Sequence, residues 1–103
     1  MRIVSWNCCL KLAAKYDHVA QLKPDILVVQ ECEQQPSDFF PEAHYHWAGH
    51  DNRKGLGILT YEDNAKIDPF FNPELDYFLP LTFETGLKVL GVWSFTHRAE
   101  KRF

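Results

Sequence analysis

Residues Ile3-Val4-Ser5-Trp6-Asn7 are rich in β-branched and aromatic side chains, the pattern of a short strand. Leu12, Tyr16, Val19 and Leu22 then recur at helical spacing, with Lys11, Lys15, Asp17 and His18 mostly off that stripe. The spacing predicts an amphipathic helix. Pro24 ends it, because proline disfavours helical geometry in the residue before it. Asp25-Ile26-Leu27-Val28-Val29-Gln30-Glu31 follows, a continuous apolar run of the kind found in strands covered on both faces. Strand, helix and strand make a βαβ unit, whose crossover is right-handed in nearly all proteins. Its two strands are parallel, so their C-terminal ends share one edge of the sheet, where α/β proteins usually place their sites. Asn7 and Glu31 end those strands and are expected to be neighbours.

Beyond Glu31 the period changes. Segment 36–41 reads as loop, and segments 44–48, 57–61, 65–68, 77–83 and 87–96 read as short strands. Gly49, Asp51-Asn52, Glu62-Asp63-Asn64 and Thr85-Gly86 mark the turns between them. Spacing this close suits antiparallel hairpins and not further βαβ units. The fold expected is α/β: half of a two-sheet sandwich, one βαβ unit followed by an antiparallel meander. Val89 to Phe95 reads as a central strand, apolar on both faces, yet six residues follow His97. A buried strand needs neighbours on both sides, so residues 1–103 read as a single partial domain.

Composition narrows the class. At 46% hydrophobic and 24% charged, with five Gly and six Pro, the chain is neither a disordered tail, a collagen-like repeat nor a coiled coil. A net charge of −3 means that a phosphate-bearing partner must be met by a local site and not by overall charge. Cys8, Cys9 and Cys32 are odd in number, two of them adjacent, and no signal peptide precedes them. A cytoplasmic protein with three reduced thiols is expected. The longest apolar run, Ile26-Leu27-Val28-Val29, is too short to span a bilayer, so no membrane partner is expected.

Asn7 and Glu31 are the first candidate constellation. A carboxylate at a strand end beside an amide suits Mg²⁺, which takes one or two carboxylates and keeps water and substrate phosphate at its other positions. Taken alone, the same two residues also read as a turn former and a solvated strand end, the commoner use of Asn and Glu there. His44, His46 and His50, with the cysteines as softer partners, raise zinc, but the tight pairs that structural zinc sites favour are absent and solvated strand histidines explain them better. Arg53 and Lys54 could meet a substrate phosphate or simply form a charged hairpin turn. Phe39-Phe40, Phe70-Phe71 and Tyr77-Phe78 are expected to pack between layers and not to stack bases.

Ile3-Val4-Ser5-Trp6-Asn7, the intervening helix and Lys23-Pro24-Asp25-Ile26-Leu27-Val28-Val29-Gln30-Glu31 together resemble the N-terminal signature of the endonuclease/exonuclease/phosphatase superfamily, the deoxyribonuclease I-like enzymes. Gly55-Leu56-Gly57-Ile58-Leu59-Thr60 resembles the Gly-containing strand that follows there, and Ser94-Phe95-Thr96-His97 a later strand closing in Thr-His. The resemblance implies a two-sheet sandwich and divalent-metal-dependent phosphoester hydrolysis with Mg²⁺ or Mn²⁺. It assigns Glu31, with Asn7, to the metal, and Asn7 and His97 to catalysis. The substrate would carry phosphate, nucleic acid being one candidate class. The family pattern continues with an Asp-x-Asn motif and a late Asp-His or Ser-x-His motif, neither of which occurs in these 103 residues. The chain therefore resembles the N-terminal half of such a domain. It is expected to bind metal weakly, to show little activity alone, and to self-associate or require the missing half. The alternative is a non-catalytic module that binds a partner through its open sheet edge; a Cys/His metal-binding protein is a third reading.

Overall fold

The computed structural model describes residues 1–35, 39–40, 42–61, 65–69, 71–72 and 77–93. Strand β1 (Ile3–Asn7), helix α1 (Leu12–Ala20) and strand β2 (Ile26–Cys32) form the βαβ unit, with Ile3 opposite Ile26 and Asn7 opposite Gln30 in parallel register. Strands β3 (His44–Asp51) and β4 (Lys54–Thr60) form a hairpin, and β4 pairs antiparallel with β2. The first sheet therefore runs β1-β2-β4-β3. Strands β5 (Ala65–Ile67), β6 (Phe78–Phe83) and β7 (Lys88–Val92) make a second, antiparallel sheet as a simple meander.

Alternation along β2 explains the layering. Leu27 and Val29 point to α1 and join Cys8, Leu12, Val19, Cys32, Phe40 and Leu59 in one core. Ile26 and Val28 point the other way, where Leu56, Ile58, Leu79, Leu81, Phe83 and Trp93 close a second core between the sheets. Each fully buried aliphatic side chain contributes about 1.5–3 kcal/mol over its exposed state, which is why the continuous apolar run sits at the centre. Helix α1 is shorter than its stripe suggests. It ends at Ala20, and Leu22, counted on the apolar stripe, is 51% exposed. Lys23, with φ 50, reverses the chain ahead of Pro24. The first hairpin is longer than expected, running to Asp51 and restarting at Lys54. Strand β7 departs most from the sequence reading. Gly91 is buried but Leu90 and Val92 are exposed, so the strand covers the core with one face only.

Two glycines of β4 bring β3 and β2 together across it. The indole of Trp47 lies over Gly55 and the phenol of Tyr45 over Gly57, so close that a Cβ at Gly57 would lie 2.6 Å from Tyr45 Cε1 and 2.8 Å from Cys32 Sγ. Glycine is needed here for close approach.

His44 and His46 of β3 share a face, and His44 is solvent-exposed as expected. His46 is not: it is half-buried, and its Nε2 is buried without a hydrogen-bond partner. Burial, with the neighbouring His44 charge adding, holds the His46 pKa below its ordinary 6.5. Above pH ~6.5 the ring is neutral in both folded and unfolded chains and contributes nothing to pH dependence. Below it the unfolded chain takes up the proton first, so stability falls as pH falls. The urea midpoint should drop between pH 7.5 and 5.5 in the wild type and drop less in His46→Phe; equal drops would exclude this role.

Candidate active site

Asn7 and Glu31 meet at one edge of the first sheet. Alternation alone would send Glu31 under α1 with Leu27 and Val29. A bulge between Gln30 and Cys32, with Glu31 at φ 57, gives that buried place to Cys32 and turns the Glu31 carboxylate along the edge. Bulges of this kind re-aim side chains. Asn7 Nδ2 donates to Glu31 Oε2 at 2.7 Å, and Asn7 Oδ1 accepts the Cys9 N–H at 3.1 Å, so both ends of the amide are engaged and its orientation is fixed.

The segment between Asn7 and α1 is strained. Cys9, Leu10 and Lys11 have φ of 56, 73 and 60, the left-handed region that side chains disfavour by about 1–3 kcal/mol each. Hydrogen bonds hold it there. Cys8 N–H donates to Gln30 O at 3.1 Å, Leu10 N–H to Glu31 O at 2.7 Å, and Lys15 Nζ to Cys8 O at 2.7 Å and Cys9 O at 3.2 Å. Glu33 closes the arrangement. Its Oε1 accepts the Leu12 N–H at 2.6 Å, and its Oε2 accepts the Ala13 N–H at 3.0 Å and Gln35 Nε2 at 3.1 Å. Burial alone would raise the Glu33 pKa, but the N–H groups of Ala13, Glu33 and Leu12 outweigh it and hold it below the ordinary value.

The aromatic pair of β3 secures the other side. Tyr45 Oη donates to Glu33 O at 2.6 Å and Trp47 Nε1 to Cys32 O at 3.0 Å. All three cysteines are free. Burial, with Glu33 charge adding, pushes the Cys8 thiol up to about 11, and burial, opposed by the Tyr45 hydrogen bond, pushes Cys32 up to about 12. Those two thiols are packing groups, while Cys9 is exposed.

The β3–β4 turn reaches the same edge, because Cys32 pairs with Gly55 and Gln34 N–H donates to Asn52 O at 2.8 Å. Arg53 is bound to its own turn, 3.1 Å from the Asp51 carboxylate, and Lys54 Nζ sits 5.6 Å from the Trp93 ring centre. Gln30 ties the sheets together, with Nε2 3.1 Å from Ser5 Oγ and 3.4 Å from Val92 O. His97 lies outside the described residues. Among the described residues no group of three Asp, Glu, His or Cys side chains is placed to hold a metal ion. Among the described residues the oxygen donors at this edge are the Glu31 carboxylate, whose Oε2 accepts from Asn7, and the Asn7 amide oxygen, which already accepts the Cys9 N–H. That suits a hard cation which keeps most of its waters.

Spacing pointed to Asn7 and Glu31 but not to Glu33, Lys15, Tyr45 or Trp47. Glu33 caps a helix that begins 21 positions earlier, and no local pattern marks such a cap. The aromatics carried one readable sign: Gly55 and Gly57, two apart in a strand, next to a strand with Tyr45 and Trp47, also two apart.

No family model and no curated protein matches the sequence. Among solved structures, an AP endonuclease from Archaeoglobus fulgidus superposes with a TM-score of 0.66 at 22% identity, over 90% of this chain and 41% of that one. The chain has part of a deoxyribonuclease I-like fold. It spans about two fifths of the length of that structure. Among the described residues no helix is long and apolar enough to cross a membrane.

Proposed function

We propose that this chain supplies the Asn7–Glu31 portion of a divalent-metal-dependent site that hydrolyses phosphodiesters, with nucleic acid as the substrate class. The observation that carries the reading is the 2.7 Å contact between Asn7 Nδ2 and Glu31 Oε2 at a shared strand edge, in a fold shared with an AP endonuclease. Glu31 would hold Mg²⁺ or Mn²⁺ through Oε1, and Asn7 would keep the carboxylate turned toward it. The bound ion would polarise the phosphoryl oxygen and neutralise charge. Lys54 and Arg53, at the same edge, would approach the substrate backbone, Arg53 only by leaving Asp51. His97 would donate to the phosphoryl oxygens. A residue for general-base work, typically worth about 10²–10⁴-fold, has no counterpart in these 103 residues, so the polypeptide alone is expected to be slow.

Titrating Mn²⁺ and following water-proton relaxation tests this reading. Weak binding by the wild type that disappears in Glu31→Gln is expected; equal binding by the two proteins would overturn it. A second reading, a module that docks a partner by strand addition, draws on the exposed Leu90 and Val92 of β7.

A further inference from the structure

The strained turn beside Asn7 is held by charged groups that the reading above leaves without a task. Three successive left-handed residues, none of them glycine, are expensive, and such a turn persists only when its surroundings over-determine it. Two side chains do so here. Lys15, one turn into α1, folds back onto the carbonyls of Cys8 and Cys9. Glu33, just past the bulge, takes the first two N–H groups of α1. Between them the turn presents the Cys9 N–H, which donates to Asn7 Oδ1. That contact on Oδ1 favours the amide orientation in which Nδ2 faces Glu31 Oε2.

We infer that Glu33 is a positioning residue for the site. By locking the start of α1 to the segment that follows Glu31, it fixes the turn that orients the Asn7 amide, and through Asn7 the Glu31 carboxylate. Several features favour this over simple helix capping. None of Cys8, Cys9, Leu10 and Lys11 carries a side-chain oxygen that could accept from the first N–H groups of α1, and the group that does so comes from the segment that directly follows Glu31 and β2. Glu33 is itself braced, by Gln35 on its carboxylate and by Tyr45 on its carbonyl. Its two oxygens bind two different N–H groups, so it holds both the position and the direction of the helix start. Groups that orient metal ligands in this way typically change affinity by about 10–100-fold when removed.

This inference rests on the metal reading only for its second measurement. The first is made on the metal-free protein, by NMR of the Asn7 side-chain amide, assigned by its loss in Asn7→Asp. In the wild type that amide should exchange slowly and resonate away from the solvent-exposed Asn amides. In Glu33→Ala it should move to the exposed position and exchange at least about tenfold faster. Val19→Ala, which weakens α1 packing at the far end of the helix, should lower the melting temperature and leave the Asn7 amide in place. Lys15→Met releases the same turn without touching Glu33 and should reproduce part of the change; it also serves if Glu33→Ala fails to fold. The second measurement is Mn²⁺ affinity, expected to fall about tenfold or more in Glu33→Ala and to stay level in Val19→Ala. An Asn7 amide unchanged in Glu33→Ala and Lys15→Met, or moved equally by Val19→Ala, would overturn the inference. If no variant, wild type included, binds Mn²⁺ while the amide responds as described, the metal reading falls and the positioning role of Glu33 stands.

Discussion

Replacing Gly57 by alanine should destabilise the protein by about 2–4 kcal/mol, a large share of the 5–15 kcal/mol that holds a typical domain. The new Cβ would sit 2.6 Å from Tyr45 Cε1, 2.8 Å from the Tyr45 hydroxyl and 2.8 Å from Cys32 Sγ. Real atoms do not approach so closely, so the phenol must move. Tyr45 has no slack, because its hydroxyl donates to Glu33 O at 2.6 Å and lies 3.3 Å from Cys32 Sγ. Moving it strips a half-buried carbonyl and a half-buried hydroxyl of their partners, in addition to the overpacking itself. For a domain of this size the melting temperature should fall by roughly 10–25 °C. The cause can be separated by a double-mutant cycle. In Tyr45→Ala the space above Gly57 opens, so adding Gly57→Ala to that variant should have a much smaller effect than in the wild type. A Gly57→Ala protein that melts within a degree or two of the wild type would show that Tyr45 moves freely, and that the clamp on residues 32 and 33 is slack.

The parts of this molecule that were readable from the sequence are those governed by near neighbours along the chain. The β2 run is apolar without interruption because both of its faces are covered, and that pattern alone places it at the centre. With a helix stripe and a first strand before it, parallel pairing follows, and so does the meeting of Asn7 and Glu31 at a common edge. What was not readable depends on groups distant in sequence. Nothing near Glu31 announces the left-handed bulge that turns its carboxylate away from the helix. Nothing near Leu12 announces that its N–H would be taken by residue 33. His46 looked like a solvated strand residue because alternation says which face a side chain is on and not what lies above that face. Strand β7 looked central for a related reason. Its apolar residues record a need for burial on both sides, while the described part of the chain covers only one.

That uncovered side should decide how the protein behaves in solution. Among the described residues β7 pairs only with β6, so one edge of the strand has no neighbouring strand. Its outward face carries Leu90, 57% exposed, and Val92, 40% exposed, and Phe78, opposite Val92 in the register, is 43% exposed. Among the described residues the first sheet also has an unpaired edge strand in β1, where Ser5 and Asn7 set polar side chains beside the exposed Ile3. An apolar face next to an open ladder is a template for another strand, and the nearest supply at high concentration is β7 of a second copy. Light scattering should give a mass above 12.1 kDa that rises with concentration. Leu90→Lys places a charge in the middle of the face without entering either core, and should restore the monomer while leaving the melting temperature nearly unchanged. Natural edge strands use lysine in the same way to block pairing. A wild-type chain that stays monomeric across the accessible concentration range would mean that the β7 edge is closed by its own chain, and would remove the ground for reading β7 as a docking edge.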